Sequence, residues 1–203
     1  MLLFIGVAAS GQGGSEWKPM FDGRSLAGWR NAEFPRHAAV KIEDGVIILP
    51  AGQPWTGITW AGEFPKSNYE LRVEAMRKAG SDFFAGITFP AGGAHAMFVT
   101  GGWGGDIIGI SSIDGWDASD NETRAYFTFE TGRWYKLRIQ VTDERIRVWI
   151  DEAPVVNVAI AGRTVELRPG DGDYSIPLGI ASYNTTGAVR KVEYRLLPEA
   201  PPR

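Results

Sequence analysis

Between Phe127 and Asp151 the chain alternates apolar and polar positions in two successive runs. Tyr135, Leu137, Ile139 and Val141 fall on one parity, with Lys136, Arg138 and Gln140 on the other. After Thr142-Asp143-Glu144 the pattern resumes, and Ile146, Val148 and Ile150 oppose Arg145, Arg147 and Trp149. Successive side chains of a strand point to opposite faces, so this period predicts two half-buried antiparallel strands joined by a short turn. Such a hairpin cannot bury its oily face alone and needs a second sheet against it. The expected fold is all-β, a two-sheet antiparallel sandwich.

The rest of the chain supplies the other strands. Asn68 to Lys78 alternates Tyr69, Leu71, Val73 and Ala75 with Glu70, Arg72 and Glu74, another strand with one wet face. Phe83 to Phe89 and His95 to Thr100 are apolar on both parities, which predicts central strands covered on both sides, one side facing a cleft. Ile107 to Ile110 reads in the same way, Gly57 to Trp60 reads as a short strand, and Asp44-Gly45 as a two-residue hairpin turn. Leu178 to Tyr183 and Val189 to Leu197 complete the sandwich. In the last of these, Val189, Val192, Tyr194 and Leu196 break strict alternation, which places a bulge near Lys191. No sustained helical period or internal repeat is present, and about a dozen strands are expected.

Composition narrows the class. A net charge of -3 argues against nucleic acid as the main partner. With 26 Gly and 12 Pro, turns are plentiful. The absence of Cys removes disulfides, thiolate metal sites and thiol nucleophiles. The opening MLLFIGVAAS is an apolar run too short to span a bilayer. It reads as the end of a secretory signal, the alternative being an edge strand. Residues 1–14 are therefore expected to be a signal segment and spacer, residues 15–203 one domain, and the location periplasmic or secreted.

Several pieces stand in a telling order: Phe21-Asp22-Gly23-Arg24-Ser25-Leu26-Ala27-Gly28-Trp29, Ile42-Glu43-Asp44-Gly45-Val46, Tyr69-Glu70-Leu71-Arg72-Val73-Glu74, Ala85-Gly86-Ile87, Gly132-Arg133-Trp134-Tyr135 and Leu178-Gly179-Ile180. This order resembles the 3-keto-disaccharide hydrolase family, also known as domain of unknown function 1080. The resemblance implies a concanavalin A-like jelly roll and action outside the cytoplasm on glycosides oxidised to a ketone at C3. Such a ketone acidifies the C2 proton, so a base and a stabiliser for the enolate oxygen are required. One strand departs from the family pattern: His95 to Thr100 carries no carboxylate. The alternative is a lectin-like carbohydrate-binding module without catalysis.

Candidate chemistry concentrates in Asp114 to Glu122. Asp114, Asp117 and Asp120 offer hard oxygen ligands at short spacing, which suits a divalent metal such as calcium. Crowded carboxylates also raise one another's pKa, which makes Glu122 and Asp117 candidate bases, with His95 a third. The plain alternative is a solvated loop capped by its own Asp and Asn side chains. Trp103, within Gly101 to Asp106, and Trp116 are candidate sugar platforms, with Asn121 and Asp106 as polar contacts. Arg133, Arg138, Arg145 and Arg147 are expected to pair with acidic residues across strands.

Overall fold

The computed structural model describes residues 15–198; the expected signal segment lies outside them. In chain order the strands are β1 (Lys18–Pro19), β2 (Trp29–Asn31), β3 (Lys41–Glu43), β4 (Val46–Leu49), β5 (Trp55–Trp60), β6 (Tyr69–Ala79), β7 (Gly86–Ala91) and β8 (Ala94–Gly102). They continue as β9 (Ile107–Ser111), β10 (Ala125–Tyr126), β11 (Trp134–Val141), β12 (Arg145–Ile150), β13 (Ala153–Ala159), β14 (Gly179–Tyr183) and β15 (Thr186–Leu196). All pairings are antiparallel. One sheet runs β13-β12-β11-β6-β15-β4-β3, with β1 added on β15; the other runs β10-β9-β8-β7-β14-β5-β2.

Alternation decides what each sheet buries. Tyr69, Leu71 and Val73 of β6 and Leu137, Ile139 and Val141 of β11 point inward. They share one apolar cluster with Ile58, Ile87, Phe89, Phe98 and Ile180 of the opposite sheet. The bulge expected near Lys191 is present: the β15–β6 register shifts between Arg190 and Glu193, and Lys191 has φ 54°. The extra residue lets both Val189 and Val192 reach the core. Asp44-Gly45 turns with φ 50° and 78°, the left-handed pair that a tight hairpin needs.

Two expectations are corrected. The strand expected from Phe83 starts at Gly86, because Phe83, Phe84 and Ala85 cross from one sheet to the other. Tyr126 to Phe129, which from its place before the alternating runs is expected to lead into the β11–β12 hairpin, does not run straight into it: Tyr126 ends β10, which pairs with β9 in the opposite sheet.

The outer face of the larger sheet is a charge ladder. Glu70, 2% exposed, accepts hydrogen bonds from Arg138 Nη1 (3.1 Å), Gln140 Nε2 (3.0 Å) and Arg195 Nε (2.7 Å). Arginines also lie over the indoles of this face: Arg138 over Trp149 at 3.7 Å, Arg190 over Trp134 at 4.1 Å, Arg72 over Trp17 at 4.1 Å. Glu70→Ala would strand two guanidinium groups and an amide that converge on one buried acceptor. Removing one partner of a fully buried ion pair costs about 3–5 kcal/mol. Arg138 and Arg195 keep 27% and 33% exposure, so water relieves part of that cost. A loss of about 2 kcal/mol is expected in urea unfolding, with activity per folded molecule unchanged.

Candidate functional site

Parity along the smaller sheet sends one set of side chains into the core and the other outward. Phe98 of β8 and Ile110 of β9 face the core, whereas Met97, Val99 and Ser111 face away from it. On that outer face lies a cavity of about 490 Å³, within the ~300–1,000 Å³ range of small-molecule sites. Its aromatic wall is a cluster: Trp55 meets Phe83 at 5.1 Å and Tyr183 at 5.3 Å between ring centroids. Phe34 stacks behind Trp55 at 5.2 Å and fixes the indole. Leu167, Arg168, Pro169 and Gly170 also line it.

Among the described residues two charged side chains line the cavity, Asp82 and Arg168. Asp82 precedes the crossing segment, and its Oδ1 accepts the Phe83 N–H at 2.8 Å. Its Oδ2 accepts the Gly104 N–H at 3.4 Å, which links it to the glycine-rich loop. That loop presents Trp103, 44% exposed, to the cavity. Arg168 is held by Asp117, whose Oδ2 lies 3.2 Å from its Nε. The other oxygen of Asp117 accepts hydrogen bonds from Ser111 Oγ at 2.8 Å and Ser112 Oγ at 3.0 Å.

Asp117 therefore stands behind the cavity wall as a brace for Arg168. Glu122 lies elsewhere: Arg163 binds both it and Asp114. The hydrogen bond from Arg163 holds the Glu122 carboxyl below its ordinary range, and the same contact does so for Asp114. That is the reverse of the raised pKa expected from crowding; a cation distant in sequence has paired with both carboxylates. Asp120 accepts a hydrogen bond from its neighbour Ser119. Asp114, Asp117 and Asp120 thus have separate partners. Among the described residues no three His, Cys, Asp or Glu side chains are grouped to hold a metal ion.

The other sites are divided in the same way. His95 shares the outward parity of Met97 but is not among the residues lining the cavity. Burial lowers its pKa, and the nearby Asp173 charge partly opposes that shift. Trp116 is 63% exposed and lies outside the cavity lining. Asn121 is a turn brace: its Nδ2 donates to the carbonyls of Ile110 and Trp116, and its Oδ1 accepts from Thr123 N–H and Oγ1–H. Asp106 is exposed and also outside the lining. Of the residues singled out from sequence, Trp103 alone lines the cavity; Asp82, Arg168, Trp55 and Tyr183 were missed. The Asp82-Phe83-Phe84 step, a carboxylate abutting the most apolar run, was the available signal.

The two antiparallel sheets, with an outward-facing aromatic cavity on the smaller one, form a jelly-roll sandwich of the glycosidase-like fold. Solved structures share this fold. A Crh5 transglycosylase in complex with NAG matches at TM-score 0.61 and 10% identity, over 92% of this chain and 86% of that one. A prokaryotic β-1,3-1,4-glucanase (lichenase) derived from a mouse hindgut metagenome matches at 0.58 and 8%, over 89% and 99%. The carbohydrate-binding module CBM66 from Bacillus subtilis matches at 0.53 and 12%, over 83% and 95%. At these identities the likeness is one of fold. No curated protein matches the sequence. The family model of the 3-keto-alpha-glucoside-1,2-lyase-like domain matches residues 16–195, and the chain belongs to that family. Among the described residues no helix is long and apolar enough to cross a membrane.

Proposed function

We propose that the protein holds a glycoside in this cavity and, where the sugar carries a ketone at C3, cleaves it by elimination. The observation that carries this reading is the convergence of Asp82, Arg168 and the exposed indole of Trp103 on one hollow. Trp103 packs on the C–H face of the sugar ring, as indoles do where one side stays wet. The Asp82 carboxylate takes the C2 proton, and the C–H electron pair becomes an enolate with its charge on the C3 oxygen. The Arg168 guanidinium faces that charge as it develops, and Asp117 keeps it aimed. Collapse of the enolate restores the ketone, forms a C1=C2 double bond and expels the glycosidic oxygen, which takes up a proton. Addition of water across C1=C2 then yields the free 3-keto sugar. Family membership supports the reaction type.

The test is incubation with p-nitrophenyl 3-keto-α-D-glucopyranoside and with its unoxidised parent, each with and without chelator. Release of p-nitrophenolate from the keto compound alone is the expected result. A second reading has one specific observation behind it: Asp82 is the single carboxylate among the described residues lining the cavity. A binding module needs no base. Saturable binding of both glycosides without release would establish that reading and end the first.

A further inference from the structure

The buried parity of β6 runs Tyr69, Leu71, Val73, Ala75 and then Arg77. Arg77 is 6% exposed, and no carboxylate among the described residues stands within ion-pair distance of it. A buried charge without such a partner is costly unless its hydrogen bonds and more distant opposite charges offset that cost; burial depresses the Arg77 pKa, and the Asp106 and Asp82 charges oppose that shift. Its Nη2 donates to the Gly105 carbonyl at 2.9 Å and its Nη1 to the Phe129 carbonyl at 3.4 Å, while its Nε has no partner. Its guanidinium lies over the rings of Phe84 and Phe129, at 5.4 and 5.9 Å. The loop it grips is shaped around it. A Cβ on Gly101, where φ is +82°, would sit 2.5 Å from Arg77 Nη2 and 2.5 Å from the Gly105 oxygen. Next to Gly105, Gly104 donates to Asp82, and Trp103 lines the cavity.

We propose that Arg77 is a positioning residue for the cavity: it anchors the Gly101–Gly105 loop from inside the sandwich and so sets where the Trp103 indole meets the sugar. This rests on the cavity reading above. Arg77 touches no substrate, and its effect passes through the loop. The geometry separates it from a merely structural arginine, because its two acceptors belong to the loop and to the Phe129 segment rather than to neighbouring rungs of β6.

Two measurements test the proposal. In the first, hydrogen exchange of residues 101–106 is compared in wild type, Arg77→Met and Arg77→Lys. The expected result is lost protection in this loop with protection of β6 and β11 retained. In the second, kcat/KM for p-nitrophenyl 3-keto-α-D-glucopyranoside is measured for Arg77→Lys, Trp103→Phe and the double variant. Arg77→Lys keeps the charge and the buried stem if Arg77→Met fails to fold. Each single change should lower kcat/KM about tenfold, and the double variant about tenfold as well, because both act at one contact. A double variant reduced by the product of the two effects, or loop exchange unchanged in both Arg77 variants, overturns the proposal. A wild type with no turnover overturns the cleavage reading instead, and the exchange experiment then decides the role of Arg77.

Discussion

Replacing Gly187 with Ala should lower the melting temperature by roughly 6–12 °C and weaken the cavity at the same time. Gly187 lies in β15, where the crossing segment passes against the strand. A Cβ there would stand 2.0 Å from the Phe84 carbonyl oxygen and 3.1 Å from its carbon. Both sides of this contact are backbone, so no rotamer change relieves it. Overpacking of a core costs about 1–3 kcal/mol, and a rigid obstacle sets the upper figure. For a chain of this size each kcal/mol moves the midpoint by about 2–4 °C. The least costly relief is to push Phe84 away, which carries Phe83 and Asp82 with it. Thermal unfolding followed by circular dichroism checks the first half of the prediction, and KM for the keto-glycoside checks the second. For stability alone Gly172→Ala is the control, since a Cβ there meets only Leu167 at 3.6 Å, although the residue itself lines the cavity. A Gly187→Ala protein as stable as this control would show that the two strands can part without loss.

Asp82→Asn should reduce kcat on the 3-keto-glucoside by at least about 100-fold, the contribution usual for a general base. The amide keeps the size of the carboxylate and an oxygen for the Phe83 N–H, so the fold and much of the affinity should survive. What it loses is the capacity to take the C2 proton. The expected signature is a collapsed kcat with KM within a few-fold of wild type. Glu122→Gln should leave kcat within twofold, because that side chain is committed to Arg163. An Asp82→Asn protein with undiminished turnover would remove Asp82 from the chemistry.

These predictions turn on features that differ in how openly the chain declares them. Strand alternation is local, so Tyr135 to Ile150 announces its own two faces, and the irregularity around Lys191 announces a bulge. The cleft side of β8 was legible because Met97 and Val99 are apolar on the parity that ought to be wet. The acidic loop misled for a reason that is not local. Its carboxylates are visible in sequence, but the cation that occupies Glu122 and Asp114 arrives from Arg163, 41 and 49 residues away. Asp82 and Arg168 were missed in the same way: 86 positions separate their numbers, and only the closure of the sheet by the 167–170 segment brings them to one hollow. Arg77 was written plainly in the parity of β6, as a charge that continues an apolar series.

The wedging of Phe84 beneath β15 has a practical consequence for anyone redesigning the protein. The Asp82 carboxylate adjoins this buried root, whereas the 167–170 segment belongs to the rim. Libraries aimed at new aglycones should randomise Leu167, Pro169 and Gly170 of that rim and spare Arg168 and positions 82–85, because diversity introduced at the root would be spent on misfolded chains before any new selectivity could be scored.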